Sequence, residues 1–284
     1  GEEYKNAKTL DCILEQLFTA KLERKSTLIA FGGGVVSDIT GFAASIYQRG
    51  INFINIPTTL LAPVDASVGG KTGINSKFGK NLIGAFHQPK AVYCETKFLN
   101  TLPKREFSAG VAEAIKMAIT FDKKFFEFFT KSDLSDKKDL IKVIEKCVKI
   151  KADVVSKDEK ESGIRAVLNY GHTFAHAIEK DSNFKKFLHG EAVAIGINMA
   201  NTLAHKLNLL TLNELNLIRQ TLKKFDLPTE YGILDEENFY DMFYLDKKSS
   251  NSKIKFILPK GIGSYEMRDD IPKEIVLEVL REFQ

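Results

Sequence analysis

"STLIAFGGGVVSDITGFAASIYQRGINFINIPTT", residues 26–59, decides the fold. It opens with a short apolar run, residues 26–31, of the length of a buried strand. Three glycines, Gly32, Gly33 and Gly34, follow it. Residues 37–49 then read as a helix opened by Ser37 or Asp38, and residues 51–56 as a second strand stopped by Pro57. Thr58 and Thr59 offer hydroxyls suited to capping a further helix. Strand, turn and helix repeated in this order predict a parallel α/β sheet.

Glycines between a buried strand and a helix let backbone N–H groups approach a pyrophosphate at the helix N-terminus. The dinucleotide fingerprint G-x-G-x-x-G is met at Gly32 and Gly34, but Ser37 holds its last place. The acidic ribose ligand expected about 20 residues on is missing, because Ile54 and its neighbours are neutral. By itself the turn reads as well as an ordinary tight turn as it does as a nucleotide site.

Outward from this stretch, Leu10, Ile13, Leu14, Leu17 and Phe18 repeat at helical spacing over residues 7–22. After Pro103 the character changes. Residues 105–120, 122–131, 138–155, 171–181, 190–208, 211–225 and 272–283 read as helices, and only residues 253–259 read as a strand. The expectation is an α/β domain over residues 1–103 and a mainly helical domain over residues 104–284.

The bulk numbers exclude several function classes. An apolar content of 44% suits a globular protein with a real core. A net charge of +4, with the signs interspersed, does not suggest a nucleic-acid partner. No apolar run reaches the ~18 residues of a membrane span, and no signal peptide is legible. Cys12, Cys94 and Cys147 are far apart, so free thiols in a reducing cytoplasm are expected. The chain opens on Gly1 rather than Met, so its numbering is expected to start inside a longer protein.

Five stretches hold residues suited to chemistry. "DASVGGKTG", residues 65–73, ends like a P-loop, but Asp65 stands where that pattern needs a glycine. A carboxylate there opposes a triphosphate. Lys71, Lys80 and Asn81 lie in glycine-flanked segments read as loops; each lysine alone reads as a surface charge, both together as pointing to an anionic ligand. Glu113 and Lys116 have the spacing of a surface ion pair, yet Val111, Ala112, Ala114, Ile115 and Met117 make their helix apolar. In "RAVLNYGHTFAHAIE", residues 165–179, a helix would put Arg165, Asn169, His172 and His176 on one face. His189 opens the next helix, and two histidines plus a carboxylate make a common catalytic zinc set. Lys151 continues the apolar face of Leu140, Ile144, Cys147 and Val148, where it either snorkels to solvent or reaches a polar site.

Taken together, "GGGVVSDITGFAASIYQRG", "IPTTLLAPVDASVGGKTGIN", "GKNLIGAFHQP", "FLNTLPKREFSAGVAEAIK", "KADVVSKDEKE", "LNYGHTFAHAIE" and "HGEAVAIG" resemble the 3-dehydroquinate synthase family of sugar-phosphate cyclases. The match runs from residue 1 to the "LDKK" motif. The resemblance implies a Rossmann-like domain binding NAD, a helical domain holding a divalent metal (zinc, with cobalt as the alternative), and a cytoplasmic homodimer. In that family the chain begins some tens of residues earlier, with further strands.

Motif by motif, the resemblance implies NAD contacts from Glu2 and Lys5, from the turn Gly33, Gly34, Val35, Val36, Ser37 and Asp38, and from Thr58, Thr59 and Leu61. A last cofactor turn would comprise Phe98, Leu99, Asn100, Thr101, Leu102 and Glu106, with Asp65, Lys71 and Lys80 adjoining the cofactor. Glu113, His172 and His189 would be metal ligands. Asp65, Lys71, Lys80, Asn81, Lys116, Lys151, Arg165, Asn169 and His176 would serve a phosphorylated sugar acid, 3-deoxy-D-arabino-heptulosonate 7-phosphate. Arg49 would come from a partner subunit, and Lys247 or Lys248 would close the site.

Three rivals stand beside this reading. Another sugar-phosphate cyclase would take a substrate without the carboxylate. A metal-dependent polyol dehydrogenase would accumulate NADH. A binding module would turn over nothing.

Overall fold

The computed structural model of the chain describes residues 1–183, 185–245 and 253–284; Lys247 and Lys248 lie outside the described residues. Asn6 caps the first helix, α1 (Ala7–Thr19), by accepting from the Thr9 backbone N–H at 3.1 Å. Strand β1 (Thr27–Gly32) then leads through Gly33 into α2 (Gly34–Ile46). This helix begins three residues before the sequence expectation. Gly33 is extended, and its carbonyl accepts from the N–H groups of Val36 and Ser37, so the glycines themselves start the first turn. Ser37 does not cap; its hydroxyl donates to the Gly34 carbonyl.

Strand β2 (Asn52–Pro57) runs parallel to β1, in register from Thr27 opposite Asn52 to Gly32 opposite Pro57. The helix expected after Thr58 and Thr59 is a single wide turn, Ala62–Ala66, containing Pro63. Lys71 and Lys80 are not in loops. Lys71 begins β3 (Lys71–Ser76), and Lys80 and Asn81 lie in β4 (Gly79–Phe86), which pairs antiparallel with β3. The glycines that suggested loops serve close strand approach instead: a Cβ on Gly84 would fall 2.1 Å from the Thr72 carbonyl oxygen. Strand β5 (Ala91–Val92) completes a parallel sheet in the order β1-β2-β5.

The helices α3 (Lys104–Phe121), α4 (Lys123–Lys131) and α5 (Lys137–Lys157) follow. After them come α6 (His172–Asp181), α7 (His189–Lys206), α8 (Leu212–Lys224) and α9 (Glu236–Leu245). Strands β6 (Phe256–Pro259) and β7 (Tyr265–Arg268) form an antiparallel pair before α10 (Lys273–Arg281). Helix α9 and strand β7 were not legible in the sequence. Helix α9 buries Phe239, Tyr240 and Phe243, aromatic residues that do not favour helix on propensity, and β7 is short and partly charged.

The chain divides into two compact units, Gly1–Gly110 with Leu140–Lys160, and Val111–Asp139 with Glu161–Gln284. In the first, Leu10, Ile39, Phe42, Ala43 and Ile74 form one apolar cluster, and Ala44, Tyr47, Ile51 and Phe53 another. In the second, α7 is buried on every side from Gly190 to Ala204, with the polar Glu191, Asn198, Asn201 and Thr202 among its buried residues. Helices α6, α8 and α10 and strand β6 pack around it.

Candidate active site

The middle of helix α7 can pack against the start of α6 because two glycines let their backbones meet. A Cβ on Gly196 would lie 2.2 Å from the Gly171 carbonyl oxygen, and Gly171 itself has φ +79°. That left-handed residue also breaks the single helical face expected for Arg165, Asn169, His172 and His176. Ile164–Asn169 is a 3₁₀ segment, and α6 starts afresh at His172.

The result is a convergence in the second unit. One ligand atom each from Glu113, His172 and His189 lies within 4.8 Å of the other two. The Nε2 atoms of His172 and His189 stand 3.6 and 3.4 Å from Glu113 Oε1. Glu113 is fully buried, and neither carboxylate oxygen makes a hydrogen bond of good geometry. Its ion-pair partner is the equally buried Lys116, so the pair is no surface feature. A buried carboxylate without hydrogen bonds, facing two imidazole nitrogens, fits a divalent cation of the zinc type.

The charges of Glu113 and His172 suit ligation. Burial, then the Lys116 ammonium, outweigh Glu113 and hold His172 down at about 3, which keeps its imidazole neutral. Burial opposes the ionisation of Glu113, but Lys116 and the two histidines outweigh it and hold the carboxyl well below its usual range. His189 is also disfavoured as a cation by burial. The Glu113 and Glu179 carboxylates overcome that and raise it to about 10, so a cation at Nε2 would have to displace a proton there.

Of the other candidates in this unit, Arg165 is buried, and Asn169 donates to Glu161 Oε1 at 2.5 Å. His176 is exposed, with its ring 5.6 Å from that of His172. The sequence reading missed Glu179, whose Oε1 lies 3.2 Å from His189 Nδ1, and the bond from the Tyr170 hydroxyl to Asn201. Glu179 has one signal in the sequence: it lies seven residues after His172, on the same helical face.

In the first unit, the turns after β1 and β2 adjoin one another at the C-terminal ends of the parallel strands. The Thr58 N–H donates to the Gly32 carbonyl at 2.9 Å, and a Cβ on Gly33 would lie 2.9 Å from the Thr59 side chain. Open α/β sheets hold ligands at such strand ends. Lys5 is buried, 2.8 Å from Asp38 and 3.6 Å from Glu2. Burial raises the Asp38 carboxyl, and Lys5 pulls it partly back. Val35 and Leu61 are half-buried beside these turns, and Val36 is exposed.

Lys151 does not snorkel. It is buried on α5 and donates to the backbone carbonyl and the carboxylate of Asp65. The carboxylate that spoils the P-loop pattern thus pairs with a lysine 86 residues away. Lys71 and Asn81 are exposed, and Lys80 is half-buried. Thr96–Thr101, holding Phe98, Leu99 and Asn100, is a 3₁₀ segment ahead of Leu102 and Glu106. Arg49, at φ +70°, is exposed. No helix among the described residues is long and apolar enough to cross a membrane.

Comparison with known proteins bears on both units. A family model described as 3-dehydroquinate synthase N-terminal matches residues 1–109, and one described as 3-dehydroquinate synthase C-terminal matches residues 110–249. Over 284 residues the chain is 71% identical to a 3-dehydroquinate synthase of Campylobacter fetus subsp. fetus, covering 100% of this chain and 82% of that protein. A 2-epi-5-epi-valiolone synthase from Streptomyces hygroscopicus subsp. jinggangensis, solved with NAD+ and Zn2+ bound, is 27% identical with a TM-score of 0.93, over 100% of this chain and 80% of that one. A 2-deoxy-scyllo-inosose synthase, complexed with carbaglucose-6-phosphate, NAD+ and Co2+, is 30% identical with a TM-score of 0.88, over 100% of this chain and 81% of that one.

Proposed function

The chain belongs to the 3-dehydroquinate synthase family, and we propose that it converts 3-deoxy-D-arabino-heptulosonate 7-phosphate to 3-dehydroquinate and phosphate. The observation that carries the reading is the convergence of Glu113, His172 and His189. These three would hold the divalent ion. Bound NAD would supply a transient hydride acceptor, and the ion would supply Lewis-acid polarisation of the substrate's hydroxyls.

The remaining work falls to the chain's own side chains. The turns after β1 and β2 would seat the dinucleotide, with backbone N–H groups of Gly34 and its neighbours toward the pyrophosphate. The last cofactor turn, Phe98–Leu102 with Glu106, would complete that seat. Arg165 would grip one anionic group of the substrate bidentately, and Lys71, Lys80 and Lys151 would balance the rest of its charge. Asp65, Asn81 and Asn169 would orient hydroxyls. Lys116 would sit beside the ion and the substrate oxygens. Exposed His176 would carry a proton, because an imidazole offers both a donor and an acceptor nitrogen. With substrate so held, the departing phosphate would take the proton from the carbon beside the transient ketone, the hydride would return to that ketone, the hemiketal ring would open, and the enol would close on the freed ketone by an intramolecular aldol reaction. Holding a single conformation through these rearrangements is a large part of the catalysis. We further propose the cytoplasm as the setting and a homodimer in which Arg49 serves the partner's site.

Phosphate release tests the reaction. The heptulosonate phosphate should give phosphate with no net NADH, whereas sedoheptulose 7-phosphate should give none. Preference for sedoheptulose 7-phosphate would move the chain to another sugar-phosphate cyclase activity. Lasting NADH from an alcohol would make it a polyol dehydrogenase.

A further inference from the structure

Glu179 has no part in the chemistry above, yet it is a carboxylate only 4% exposed. Burying an ionised carboxylate is costly unless donors meet it. One donor is plain: His189 Nδ1 lies 3.2 Å from Glu179 Oε1, while His189 Nε2 faces Glu113 at 3.4 Å. An imidazole that gives Nε2 to a cation carries its proton on Nδ1. The two helices fix this arrangement. Glu179 sits in the last turns of α6, and His189 is the first residue of α7. The other ring is held differently, by a neutral group: His172 Nδ1 lies 3.1 Å from the Tyr170 carbonyl oxygen.

We infer that Glu179 is a positioning residue of the metal centre, which accepts from His189 Nδ1–H, fixes the ring's orientation and tautomer, and makes Nε2 a more basic ligand. The inference rests on the metal reading proposed above. It makes the two histidines unequal. His189 is partly exposed, with 34% of its side chain open, and so needs the stronger anchor. His172 is buried and is held by packing and a backbone carbonyl. A carboxylate behind a ligating imidazole characteristically sustains metal affinity by about 10- to 100-fold.

The test uses the metal-free full chain, titrated with Zn2+ against a chromophoric chelator and with Co2+ by its visible absorption. The parent, Glu179→Ala, Glu179→Gln and Glu113→Gln are compared. Glu179→Ala should weaken Zn2+ binding by about 10- to 100-fold, and Glu179→Gln by less, because its amide oxygen still accepts from Nδ1–H. At saturating Co2+ the absorption band of Glu179→Gln should shift, which a merely structural role would not cause. If Glu179→Ala does not fold, Glu179→Gln decides. Affinity within a factor of about two of the parent and an unchanged band in both Glu179 variants, with binding lost in Glu113→Gln, would overturn the inference alone. A parent chain that takes up neither ion would overturn the metal reading, and the inference with it.

Discussion

The two units hold buried charge in different ways. In the first, charges are matched: Lys5 with Asp38, and Lys151 with Asp65. In the second, one carboxylate, Glu113, faces an ammonium and two imidazoles, yet its oxygens make no hydrogen bond of good geometry. A matched pair explains itself by mutual charge. A carboxylate ringed by donors of ligand type is explained by a cation. The comparison therefore separates residues that pair with one another from residues suited to hold a metal.

The sharpest way to break the contrast is to remove the carboxylate. Glu113→Gln should lose bound metal and lower turnover by roughly three orders of magnitude, the several kcal/mol a Lewis acid contributes at about 1.4 kcal/mol per decade. Metal analysis and phosphate-release rates on the same sample check this; retained metal would sink the ligand assignment. His189→Ala should likewise lose metal and turnover together, and retention of both would return His189 to a structural role.

Lys151→Ala probes the other side. It leaves Asp65 without this partner, and denaturant unfolding should show a loss of about 1–3 kcal/mol, below the cost of breaking a wholly buried pair. The discount follows from Asp65, whose side chain is 21% exposed. The same variant should raise KM and lower kcat while the fold persists. Unchanged kinetics beside that stability loss would make Lys151 an organising residue only. NAD at one hundred times its Kd should stabilise the chain by about 2.7 kcal/mol, seen as a higher melting temperature. No shift would remove NAD from the account.

The smallest effect is one of pH. The folded Asp38 carboxyl is raised above its ordinary value by burial, so its contribution to stability is present at low pH and lost as pH rises through the folded value. Lys5→Met removes the lysine that counters this. The variant's stability deficit should be larger at neutral pH and shrink on acidification through the carboxylate range. A pH-independent deficit would show that the Lys5 stem, rather than its charge, matters.

What the sequence disclosed follows the range of the forces involved. The parallel strands were legible because Gly32–Gly34 and Pro57 punctuate apolar runs locally. The β3–β4 hairpin was not, because Gly73 and Gly84 serve contact between strands rather than turns. The grouping of Glu113, His172 and His189 was legible from residue type and clustering. Glu179 was not, because a glutamate followed by Lys180 and Asp181 reads as a solvated helix end. The packing of α7 along α6, with His189 against Glu179, covers it. Gly171 broke the single face expected for Arg165 through His176.

The most direct test is phosphate release from 3-deoxy-D-arabino-heptulosonate 7-phosphate by the full chain, stripped of metal by a chelator and then reloaded with zinc. The account predicts release that stops on stripping, returns on reloading, and leaves NADH unchanged throughout. Undiminished release by protein shown to be free of metal would contradict it.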